Sequence, residues 1–224
     1  MPKKKTYNED DIRTLSKDEA LEHYLFSKME IELIYVIIGY LQEYFGGYSL
    51  NDEIVDSFFI NEKEKAIIFK QICEKELECR GLPNDIEYML DEKGFSAVKS
   101  TTICSILKQF YVTSNSDGLR ACHVLSSEDP LFDLSQRFNN KQYSFLIGVF
   151  IRNCHEKKRT VYFANAPHKV DMTLSFLRNF NAFGSNCLSV NYHFNVPCVT
   201  EILVDDQNVF WTKIDQFKQQ LQIK

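Results

Sequence analysis

The amino-acid sequence predicts an α+β protein, with a helical N-terminal region and a small C-terminal α/β layer. Apolar residues recur at helical spacing through most of the first half of the chain, whereas after Pro130 helical stripes alternate with strand-like runs. Aromatic residues are plentiful (18 Phe and 11 Tyr) while Gly and Pro number only 8 and 5, a composition for a packed core and not for long linkers.

In chain order, Ser16–Glu19 (SKDE) has the form of a capping box and predicts a helix start. Leu21, Tyr24 and Leu25, then Ile34, Ile37, Ile38, Leu41, Tyr44 and Phe45, keep helical spacing until Gly46-Gly47 supplies a stop. A second helix is predicted from Asn61 as N-cap with Glu64 three residues on, and Phe69, Ile72, Cys73 and Leu77 form its apolar stripe. Asn84–Leu90 (NDIEYML) repeats the start signal as a short helix ending near Gly94. The stretch from Ser96 puts Ile103, Ile106, Leu107 and Phe110 on one helical face, and two strand-like runs around Ser116-Asp117-Gly118 then predict a hairpin.

Helix, short helix, helix and hairpin over residues 61–125 resembles a winged-helix domain in element order. The resemblance implies contacts to a DNA groove from Ser96, Lys99, Ser100 and Thr101 at the start of the third helix, with Arg120 in the wing. Those 65 or so residues hold nine cations and ten acids, a poor balance for duplex binding, because phosphate contacts supply most of the affinity. An acidic winged helix leans towards docking proteins.

Beyond residue 130, Tyr143, Leu146, Ile147, Phe150 and Ile151 predict an amphipathic helix, Thr160–Asn165 a strand, and Val170, Leu174 and Leu177 another helix. Leu188, Val190, Tyr192 and Phe194 alternate as a half-buried strand, Cys198–Val204 reads as a further strand, and Phe210, Ile214, Phe217 and Leu221 as a closing helix. The expected organisation is therefore a helical region over 1–125 and an α/β domain over 130–224.

The longest apolar run, Ile31–Leu41, carries Glu32 and falls short of the roughly 20 residues that span a bilayer, and no apolar stretch follows the lysines of the N-terminus. Seven cysteines without a CxxC spacing predict reduced, mostly buried thiols. Both observations predict an intracellular protein, cytoplasmic or nuclear, without contact to a membrane.

Charge is segregated. Residues 1–140 hold 16 Lys and Arg against 25 Asp and Glu, whereas residues 141–180 hold 7 against 2. The centre of the positive stretch is Arg152–Lys169, RNCHEKKRTVYFANAPHK. Arg152 falls at a helix C-terminus, where the macrodipole favours a cation by roughly 0.3 to 1 kcal/mol. His168 and Lys169 fall in the first turn of the next helix behind Asn165 and Pro167, where added positive charge invites an anion. Arg152, Lys157, Lys158, Arg159, Tyr162, Asn165, His168 and Lys169 are thus the predicted phosphate or nucleic-acid residues, with Tyr162 or Phe163 able to stack a base.

Metal and cofactor sites are not predicted. Cys122-His123, Cys154-His155 and the set Cys187, His193 and Cys198 lack the paired short spacing of structural zinc, and Cys187 and His193 lie roughly 20 Å apart along a strand. No nucleotide-loop, nucleophile-elbow or metalloprotease motif is present, so no catalytic residue is assigned. The leading expectation is a non-catalytic nucleic-acid-associated regulator or complex subunit. The alternatives are an acidic protein-binding adaptor or inhibitor with a basic partner, and an enzyme holding a phosphorylated substrate at the same helix start.

Overall fold

The computed structural model describes residues 29–42, 52–114, 121–124, 140–155, 160–180, 188–193, 199–204 and 209–220. Among these, six α-helices and three antiparallel sheets make a mixed α+β fold. Helix α1 (Leu33–Tyr40) is buried from Ile34 to its end, as an all-apolar helix must be. It packs along α4 (Asn140–Asn153), running in the same direction: Glu32 N donates to Ser144 Oγ at 2.9 Å near the two starts, and Arg152 reaches Gln42 near the two ends. Gly39 and Gly148 meet the facing backbones at the crossing, where a Cβ on either would lie 2.0 Å from a carbonyl oxygen of the other helix.

Strand β1 (Ile54–Phe58) leads through a short 3-10 turn (Ile60–Glu62) into α2 (Lys63–Cys79). The helix starts on Glu62 rather than on Asn61: Glu62 Oε2 accepts Phe59 N at 3.1 Å, and Glu62 N donates to Phe59 O at 2.8 Å. Phe69, Ile72, Cys73 and Leu77 are its buried stripe. At its far end Gly81, with φ of 66°, allows Leu82 N to reach back to Leu77 O.

The short helix expected over Asn84–Leu90 is instead a strand, β2 (Glu87–Leu90), paired antiparallel to β3 (Ser96–Lys99). Asn84 Oδ1 accepts Ile86 N, a local turn that competes with helix initiation, and Gly94 at φ of 87° closes the hairpin. Among the described residues between 61 and 125 the order is therefore helix, hairpin, helix, hairpin, which differs from the three-helix element order of a winged helix. The second helix of that set, α3 (Thr101–Leu107), buries Ile103, Cys104, Ile106 and Leu107. The hairpin after it pairs β4 (Tyr111–Ser114) with β5 (Ala121–Val124) as the sequence predicts, its turn lying outside the described residues.

The C-terminal layer is a four-stranded sheet in the order β6-β7-β9-β8, comprising β6 (Cys154–His155), β7 (Thr160–Ala164), β8 (Leu188–His193) and β9 (Val199–Val204). Helices α4, α5 (Pro167–Phe180) and α6 (Val209–Gln220) complete it, close to the predicted spans. Buried apolar residues from Ile34 to Phe217 form one cluster, so the N- and C-terminal regions share a core. No described helix is long and apolar enough to cross a membrane. The predicted capping box at Ser16–Glu19 and the stop at Gly46-Gly47 lie outside the described residues.

Candidate functional site

A bulge at Val55 in β1 lets Asp56 as well as Phe58 face inward, and Ser57 faces out. The Arg152 guanidinium, only 2% exposed, lies 4.0 Å over the Phe58 ring and 5.6 Å from that of Tyr40. Its Nη2 donates to Glu62 Oε2 at 3.2 Å, Ser57 O at 3.3 Å and Gln42 Oε1 at 3.4 Å. Nη1 lies 3.8 Å from Asp56 Oδ2 and has no hydrogen-bond partner among the described residues. Lys169, in the first turn of α5 and 4% exposed, donates to Leu41 O. Arg152 is therefore more than a capping charge: with Lys169 it ties α1, β1, α4 and α5 into one buried ionic network.

Above this network opens a cleft of about 320 Å³, lined by Arg152, Lys169, Glu62 and Lys65, with Phe59, His155 and Tyr162 at its aromatic part. His155 and Tyr162 meet edge to face at 6.5 Å. Three cations (Arg152, Lys169, Lys65) stand against two carboxylates (Asp56, Glu62), leaving the set one positive charge in excess. Asn165, at φ of 54° in the left-handed region that Asn tolerates, makes the turn from β7 into α5 between Ala164 and Ala166, which both line the cleft.

The structure brings Arg152, Tyr162 and Lys169 together on the cleft, and Asn165 lies in the chain between its lining residues Ala164 and Ala166. The His168 side chain, and Lys157, Lys158 and Arg159 between β6 and β7, lie outside what is described. The groove-contact set is not gathered on a surface. Ser96 and Ser100 are 3% and 2% exposed, and Lys99 sits 3.7 Å from Glu53. Ser100 caps α3 by accepting Ile103 N at 2.9 Å. Ser100, Thr101 and Thr102 all donate to Asp85, at 2.5, 2.9 and 3.0 Å. Burial alone would raise the Asp85 carboxyl, but these bonds and Thr102 N hold it down at about 2. Arg120 lies outside the described residues. Sequence reasoning missed Asp56, Glu62 and Gln42, because only the fold carries an acidic β1 side chain to a cation almost a hundred residues later.

Burial pushes the Asp56 carboxyl from its ordinary 3.8 up to about 6, with Arg152, the Ser57 and Gln42 amides and Lys169 pulling the other way. An acid whose folded pKa is raised binds its proton more tightly when folded. Its contribution to stability is complete below about pH 4 and lost as pH rises through about 6. Between about pH 5 and 7 the native protein should lose about 1 kcal/mol more than Asp56→Asn in urea melts. Parallel pH profiles would mean that Asp56 is charged throughout that range.

No family model, no curated protein and no solved structure matches the chain. Among the described residues no three His, Cys, Asp or Glu side chains are grouped to hold a metal ion. Cys73 and Cys104 are buried free thiols, Cys154 is half-buried and Cys79 exposed.

Proposed function

We propose that this protein is a non-catalytic nucleic-acid-associated regulator or complex subunit that takes the phosphates of a single strand at the cleft over Arg152 and Lys169. The observation that carries the reading is the gathering of Arg152, Lys169 and Lys65 on one cleft whose lining carboxylate, among the described residues, is Glu62, which leaves it with excess positive charge. A phosphate at the cleft meets that excess and the start of α5, while Tyr162, His155 and Phe59 offer ring faces to bases. Lys157, Lys158 and Arg159 follow closely on His155 in sequence and supply the outer phosphate contacts. A single strand fits better than a duplex, because the hydroxyls expected to read a groove are occupied by Asp85 and the α3 cap.

The test is fluorescence anisotropy with labelled single- and double-stranded DNA and RNA. Single strands should bind at micromolar concentration or tighter, with a log-log salt slope of about −3 for four phosphate contacts. Lys157→Glu/Lys158→Glu/Arg159→Glu should abolish binding, and Tyr162→Ala should weaken it by about tenfold at constant salt slope. Lys169 is left intact in these variants, since its ammonium holds Leu41 O in the core. Absence of binding by the folded native protein, or indifference to the triple change, overturns the reading.

A further inference from the structure

The three-stranded sheet β1-β3-β2 has two edges with different surroundings. The outer edge of β1 is occupied at its centre, where Ser57 O accepts from Arg152. The outer edge of β2 is different. Asp91 N donates to Phe95 O at 2.9 Å, so the Asp91 and Phe95 pair is hydrogen-bonded across the hairpin. Alternation along an antiparallel ladder then turns the backbone groups of Met89 and Glu87 towards β3, and those of Leu90 and Tyr88 outward.

Side chains along this edge are apolar at the centre and acidic at the ends. Met89 and Leu90 are 45% and 52% exposed, while Tyr88 packs inward and anchors the strand. Beside the hairpin, the Phe59 and Phe95 rings lie 6.1 Å apart and Ile60 lies against Gly94. These rings and chains extend the exposed apolar surface to the end of the sheet. At one end of β2 stand Asp91 and Glu92 with Lys93. At the other, beyond Glu87, a cleft of about 550 Å³ is lined by Glu74, Lys75, Glu78, Leu82 and Asn84, and since Glu74 is paired with Lys70 at 2.5 Å, Glu78 and Glu87 against Lys75 leave that end negative.

We propose that β2 is the docking edge for an extended segment of a partner protein, apolar and β-branched at its centre and basic at both ends, which adds to the sheet as a fourth strand. Backbone bonds to Leu90 and Tyr88 give the affinity, and the acids at either end give the polarity that selects a basic segment. The same acids oppose a second copy: with Met89 on a two-fold axis, Glu87 of each copy meets Asp91 of the other, a like-charge pair. Phe59 borders both this surface and the proposed nucleic-acid cleft, but the backbone and acids of the β2 edge do not line that cleft, so the edge stands whether or not the cleft binds a strand.

The probe is a fluorescein-labelled synthetic peptide with Lys-Arg at each end and an alternating Val-Thr centre, against one with Glu-Asp ends, titrated with the full chain. The basic peptide should bind at least about tenfold tighter. Leu90→Pro deletes one outward N–H at an edge position where the β2–β3 ladder does not use it; it should keep the native thermal midpoint and lose the basic peptide. Glu78→Lys/Glu92→Lys, both at exposed positions, should shift the preference towards the acidic peptide even if the proline variant unfolds. Equal binding of both peptides, binding of neither, or unaltered binding by a folded Leu90→Pro overturns the proposal. Self-association that Leu90→Pro abolishes gives the edge to a second copy instead and overturns it as well.

Discussion

Gly148→Ala should destabilise the protein by about 3 kcal/mol or more in urea denaturation, although alanine is the better helix former. The added Cβ would lie 2.0 Å from Val36 O and 2.8 Å from Tyr40 N, both backbone atoms that no rotamer change can move aside. Gly39→Ala meets Phe145 O at 2.0 Å from the opposite side of the same crossing and should cost a similar amount. Because either methyl forces α1 and α4 apart, the second substitution finds room already made, and the double variant should lose clearly less than the sum. The sign discriminates. In a helix pair that did not approach this closely, replacing an interior glycine would stabilise by up to about 1 kcal/mol, so neutral or stabilised single variants would refute the crossing.

That crossing marks where the sequence could be read and where it could not. Apolar periodicity placed α2, α5, α6, β7 and β9, each of which buries mainly one face. It also placed α4 and β8, although α4 is buried on all sides from Gln142 to Arg152 and Tyr192 in β8 is 54% exposed. Residues 84–90 misled for a physical reason: Asn84 is both a favoured helix cap and a favoured turn residue, and the choice was made by pairing of Tyr88 with Val98 across the hairpin. The β1 strand carries Asp56 at an inward position, which breaks the apolar signature of a buried strand. The basic segment was legible as charge, but its two ends were not legible as burial. Arg152 and Lys169 look like surface cations in the sequence, and only the apposition of α1, β1 and α4 shows that they are enclosed.

That enclosure makes Arg152 the second position of large effect. Arg152→Met keeps the side chain's bulk over Phe58 but leaves Asp56, 6% exposed, and Glu62 without the guanidinium, and should cost about 3 to 5 kcal/mol. Arg152→Lys retains the charge yet cannot serve Gln42, Ser57 O and Glu62 from one planar fork while lying on the Phe58 ring, so its stability should fall between those of the native protein and Arg152→Met. Two further readouts identify the cause as an uncompensated buried acid and not as lost packing. Adding Asp56→Asn to Arg152→Met should recover part of the loss, since the residual charge is gone. The deficit of Arg152→Met alone should also shrink as pH falls towards about 6 and level off below it, because Arg152 is what holds the Asp56 carboxyl down, and without it that group takes up its proton at higher pH. A solvated arginine would predict a change within about 0.5 kcal/mol at every pH and no interaction with Asp56. Such a result would return Arg152 to the surface and leave the positive end of the cleft to Lys169 and Lys65.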